Sequence, residues 1–240
     1  ATLSLNIADK MIAHGSNKEL KSRIKKAIEI LSRPGIRFSA HNVMQFFAKQ
    51  FVFEETIESA LRGRNIKNGL YSFDMLGEAA WTMYDADKYF RSYKSALIEI
   101  GKRNYRNSVN TANGISVKLS ALHPKYDFMH RERVMSELLP RVLELVQIAQ
   151  QYNIGINIDA EEADRLEISL DVIAEVMQTI ANSSWDGFGV VVQAYQKRAP
   201  FVIDWLNHNC QKHNLKIMVR LVKGAYWDSE ITVSYTHLPL

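Results

Sequence analysis

Ile154-Gly155-Ile156-Asn157-Ile158-Asp159-Ala160 is an apolar run of strand length that closes on a carboxylate. On either side, 131–152 and 165–180 read as long amphipathic helices, so the run sits between helices as a buried parallel strand does. The same alternation repeats outward. Strand-like runs at 70–76, 115–121, 187–194 and 217–223 are separated by helical stretches that also include 86–100 and 200–213. Five such units predict a parallel α/β sheet. Spaced 30–40 residues apart, they favour a (β/α)8 barrel, although an open doubly wound sheet shows the same local pattern. Pro140 is expected to break 131–152 into two pieces, because proline removes a donor and clashes with the preceding turn. Pro200 falls near a helix start, where it is tolerated.

N-terminal to these units the periodicity is helical throughout. Leu20, Ile24, Ala27, Ile28 and Leu31 predict a helix over 17–31, stopped by Ser32, Pro34 and Gly35, and further helices are predicted at 41–53 and 55–61. We therefore expect a helical arm over 1–68, an incomplete barrel over 69–231, and a short tail over 232–240. A complete barrel of eight strands needs about 250 residues.

Composition excludes several classes. With 47% hydrophobic and 23% charged residues, the 240-residue chain has the balance of a globular protein. Its net charge of +4 is spread along the sequence, which makes nucleic acid a weak inference. One cysteine, Cys210, allows neither an intramolecular disulfide nor a cysteine zinc site and fits a reducing cytoplasm. The apolar runs fall short of the roughly 20 residues that span a bilayer, and Ala1–Lys10 does not read as a secretory signal.

In a barrel, reactive groups sit where strands end. Lys118 shares a strand face with Ser116 and Ser120, and either pairs with a carboxylate or belongs to an edge. Asp159 needs a partner, for which Lys118 is the natural candidate, or else caps a helix. Glu161, Glu162 and Asp164 read as a solvated acidic turn in preference to a metal site. Gln193 closes the fourth strand. Arg220, Val222, Lys223, Gly224, Ala225, Tyr226 and Trp227 close the fifth, a set suited to a flat anionic cofactor or, for the aromatics, to a core. No GxGxxG or Walker phosphate loop is present.

Five segments together resemble the proline dehydrogenase domain of bifunctional proline-utilisation flavoproteins: 71–78 (YSFDMLGE), 114–124 (GISVKLSALHP), 155–162 (GINIDAEE), 192–198 (VQAYQKR) and 220–230 (RLVKGAYWDSE). The resemblance implies a distorted barrel that holds FAD at the carboxyl ends of its strands and oxidises L-proline to Δ1-pyrroline-5-carboxylate, with electrons leaving to a membrane quinone. It implies a cytoplasmic protein that associates peripherally with the membrane. By the same resemblance Lys118 and Asp159 flank the proline site, Gln193 and Arg220 contact the isoalloxazine, and 222–227 forms the cofactor loop. Asp74 and Glu78 close the first strand, with Glu78 the acidic half of a gate over the substrate. No metal is implied.

Family members carry an aldehyde dehydrogenase domain as partner, and some carry an N-terminal DNA-binding segment. The family's paired-arginine clamp for the proline carboxylate falls beyond the resemblance, which stops near Ile231, so 1–240 by itself is expected to be inactive. Two other readings stay open. One is a barrel aldolase with Lys118 or Lys223 as Schiff-base nucleophile. The other is a binding module built on the basic helix 18–26.

Overall fold

The computed structural model describes residues 56–62, 69–75, 77–104 and 108–227, together with Val52 and Glu54. The helix expected at 17–31, the basic 18–26 segment and the tail 232–240 lie outside the described residues, as does the helix expected at 41–53 apart from Val52. The elements below belong to one unit, Ile57–Leu240.

Among the described residues the strands are β1 (Ser72–Asp74), β2 (Gly114–Val117), β3 (Ile156–Ile158), β4 (Phe188–Gln193) and β5 (Met218–Val222). All pair in parallel, in the order β1-β2-β3-β4-β5. This order decides between the two candidate architectures. A doubly wound sheet reverses direction at a switch point, whereas a barrel lays each new strand beside its predecessor. Here no reversal occurs, and the sheet is the five-stranded part of a (β/α)8-type barrel.

The helices are α1 (Ile57–Arg62), α2 (Met83–Gly101), α3 (Leu139–Gln151), α4 (Leu166–Thr179) and α5 (Ala199–His213). Helix α2 starts at a capping box in which Thr82 and Asp85 each satisfy the other's backbone N–H. Its apolar stripe, Ala86, Tyr93, Ala96, Leu97 and Ile100, is buried. Helix α5 carries Pro200 in its first turn and ends on Asn214 in the left-handed conformation, φ 51°. Before α3 the chain does not break at Pro140. It winds through a helical turn (Arg131–Arg133) and a π-helical turn (Val134–Leu138), and the wider turn accommodates the proline while helicity continues.

Strand parity sorts the sheet into two faces. Ile115, Val117, Ile156, Ile158, Phe188, Val190 and Val192 point outward and are buried in the core. The other parity, Asp74, Ser116, Asn157, Val191 and Arg220, lines the inner face. Register places Asp74 beside Ser116, Ser116 beside Asn157, and Val191 beside Arg220. Every ladder is shorter than its apolar run. The clearest case is 115–121, where β2 stops at Val117 and a 3-10 turn, Leu119–Ala121, follows. Lys118 therefore stands just past the strand, and Ser120 leaves the shared face.

Candidate active site

Three strand ends and one strand interior supply a continuous row of charge. Asp74 closes β1, Lys118 follows β2, Asp159 follows β3, and Arg220 lies in β5. The Lys118 ammonium donates to both carboxylate oxygens of Asp74 at 3.0 Å and to Oδ2 of Asp159 at 3.1 Å. The Arg220 guanidinium donates from Nη2 to the other oxygen of Asp159. Asp159 thus has a cation on each carboxylate oxygen, and its side chain is only 10% exposed. A partly dry carboxylate needs such compensation.

Geometry also fixes the state of the lysine. Burial acts to lower the Lys118 ammonium, but hydrogen bonds and charge from Asp74 and Asp159 outweigh it and hold the group above the ordinary lysine value. A Schiff-base nucleophile requires a free amine, so the row disfavours the aldolase chemistry considered for Lys118. The Lys118 backbone N–H donates to the Tyr93 hydroxyl at 3.3 Å, and burial pushes that phenol up to about 12.

Behind this row runs a second, neutral network. The buried Gln193 side chain donates from Nε2 to the Glu161 carbonyl at 2.8 Å and accepts at Oε1 from the Ala225 N–H at 3.1 Å. One carboxamide therefore ties the loops after β3 and β5 together. Glu161 is not the solvated residue the sequence predicts. Its carboxylate is buried, accepts from the Ser120 N–H at 3.0 Å and pairs with Arg165 at 3.1 Å, and burial raises its pKa. Asp164 is exposed, and Glu162 pairs with Arg165 at 3.3 Å. Among the described residues no three His, Cys, Asp or Glu side chains converge as metal ligands.

The 222–227 loop turns back over this network. Gly224 has φ +126°, and a Cβ there would lie 2.1 Å from the Tyr195 ring, so the close approach and the backbone angle both require glycine. Tyr195 donates its N–H to the Lys223 carbonyl at 3.1 Å. Val222 and Tyr226 are half-buried, whereas Lys223, Ala225 and Trp227 are exposed, which takes both aromatics out of the core. Burial, followed by the charges of Glu161 and Glu78, pushes the Tyr226 phenol up to about 12. Glu78 itself is exposed, four residues past Asp74 and outside the charge row. The Arg220 guanidinium, exposed Lys223 and an open glycine turn form a cationic rim suited to a flat anionic ligand. No helix among the described residues is long and apolar enough to cross a membrane.

Comparison with known proteins gives a consistent pattern. The family model for proline dehydrogenase matches residues 57–238. The bifunctional protein PutA of Klebsiella aerogenes is 46% identical over 234 residues, covering 96% of this chain and 18% of that protein. Proline dehydrogenase 1 of Bacillus subtilis is 28% identical over 185 residues, covering 76% of this chain and 53% of that protein. A crystal structure of a proline utilization A variant from Bradyrhizobium japonicum superposes with a TM-score of 0.73 at 48% identity, covering 89% of this chain and 22% of that one. The chain thus spans about a fifth of the PutA proteins it matches. With the family model extending across all five strands and every charge of the row, the chain belongs to the proline dehydrogenase family.

Proposed function

We propose that this chain forms part of an FAD-dependent proline dehydrogenase. In the reaction, L-proline loses a hydride from C5, the ring methylene bonded to nitrogen, and a proton from the nitrogen, leaving the C=N bond of Δ1-pyrroline-5-carboxylate. Bound FAD would supply the two-electron acceptor, and a membrane quinone would be the onward acceptor. The observation that carries this reading is Asp159 held between Lys118 and Arg220 at the carboxyl ends of parallel barrel strands.

Each residue has a distinct task. Arg220 and Lys223 would hold the flavin, with positive charge that favours the anionic character of its reduced ring. Gly224 gives the cofactor loop its turn, with Val222, Ala225, Tyr226 and Trp227 forming the rest of it, and Gln193 holds that loop through Ala225. Asp159 and Lys118 fix the inner wall against which proline is positioned, and Asp74 steadies Lys118 from below. Glu78 lies on the preceding loop as a gate residue. The aldehyde dehydrogenase partner domain would consume the product within the parent polypeptide.

The test uses the full polypeptide encoded by the open reading frame that contains residues 1–240. Purified protein is expected to show flavin absorbance and proline-dependent reduction of a dye or quinone. Asp159→Asn removes the charge that balances two cations and is expected to lower kcat by about 10²-fold. A colourless protein indifferent to proline, or full activity in the variant, would sink the proposal.

A further inference from the structure

We propose that Ser120 is a positioning residue that holds the loop bearing Glu78, and through it tunes substrate affinity; this rests on the proline dehydrogenase reading above. Ser120 is 3% exposed and sits in the 3-10 turn directly after Lys118. It makes three bonds at once. Its N–H donates to the Glu161 carboxylate at 3.0 Å, its hydroxyl oxygen accepts from the Ala79 N–H at 3.0 Å, and its carbonyl accepts from the Ala80 N–H at 2.8 Å. Two successive amides of the β1 loop are therefore captured by one residue of the β2 loop.

That capture explains an otherwise unfavourable backbone. Ala79 has φ +53°, a left-handed conformation that a residue with a Cβ adopts only when its surroundings impose it. The angle allows consecutive N–H groups to converge on one acceptor residue. On the other side of Glu78, Gly77 has φ +141°, and a Cβ there would lie 2.3 Å from the Tyr89 ring. Glu78 thus lies between the close approach of Gly77 to Tyr89 on α2 and the anchor on Ser120. These neighbours fix the backbone from which its exposed carboxylate projects. Glu161 extends the anchoring further, since Gln193 links the Glu161 carbonyl to Ala225. The loops after β1, β2, β3 and β5 therefore share one hydrogen-bonded belt, which Gln193 of β4 completes.

The decisive experiment is Ser120→Ala in the full polypeptide, alone and combined with Ala79→Gly. Losing the hydroxyl acceptor is expected to raise KM for proline about 5- to 10-fold while kcat stays within about twofold. Glycine at position 79 adopts the positive φ without imposed strain, so the double variant is expected to recover most of the affinity. Hydrogen exchange of a peptide covering residues 77–82 is expected to speed up in Ser120→Ala. An unchanged KM, equal losses in kcat and affinity with no rescue by glycine, or unchanged exchange each overturns the proposal. If the unaltered protein fails to oxidise proline, the functional reading fails instead, and exchange over 77–82 alone then decides whether Ser120 anchors the loop.

Discussion

Strands β3 and β5 have similar apolar sequences and the same parallel pairing, yet they live in different environments. Ile156 and Ile158 on the outer face of β3 are completely covered, whereas Val219 and Leu221 on β5 are 46% and 61% exposed. The inner face repeats the contrast, since the Asp159 side chain is 10% exposed and its partner Arg220 is 43% exposed. Hydropathy of a strand reports what it is able to bury. What packs against it decides what it does bury, and one salt bridge spans both conditions.

The sharpest test of this packing is a truncation in β3. Ile156→Ala is expected to cost about 3 kcal/mol, because a fully packed site loses both transfer energy and contacts. Urea unfolding measures it, and a loss below about 1 kcal/mol would mean that β3 is not the packed centre of the sheet. A second effect comes from the belt. Burial raises the Glu161 pKa above its ordinary value of 4.5, so the native state binds the proton more tightly than the unfolded state does. Its contribution to stability is therefore present at low pH and is lost as pH rises through the folded pKa. Glu161→Gln is expected to flatten this part of the stability profile above pH 4.5, and an unchanged slope in denaturation series from about pH 4 to 8 would refute it.

Much of this was legible in the residues. The five apolar runs recur as five strands, and the placement of Lys118 and Asp159 beside each other follows from charge at adjacent strand ends. Sequence period could not choose between barrel and doubly wound sheet, because both share the β/α repeat and differ only in spatial order. The apolar runs exceed the ladders because aliphatic residues such as Leu119 continue past the strand into a buried turn. Glu161 reads as solvated in the sequence because its neighbours Glu162 and Asp164 are as acidic as it is, and only the fold turns one of the three inward. Ser120 gave no chemical signal at all, since a serine after a strand becomes informative only when the amides it receives are known. The expected break at Pro140 failed because a π turn absorbs what an α turn cannot.

A final consequence concerns Val191. It pairs with Arg220 in the register and occupies the inner layer on β4, between the strands that bear Asp159 and Arg220. The bond from Arg220 on β5 to Asp159 after β3 spans the β4 position that Val191 occupies, so Val191 matters through the volume it leaves empty. A bulky aromatic there would keep the hydrophobicity and still block the crossing, a defect that no scale of residue polarity registers.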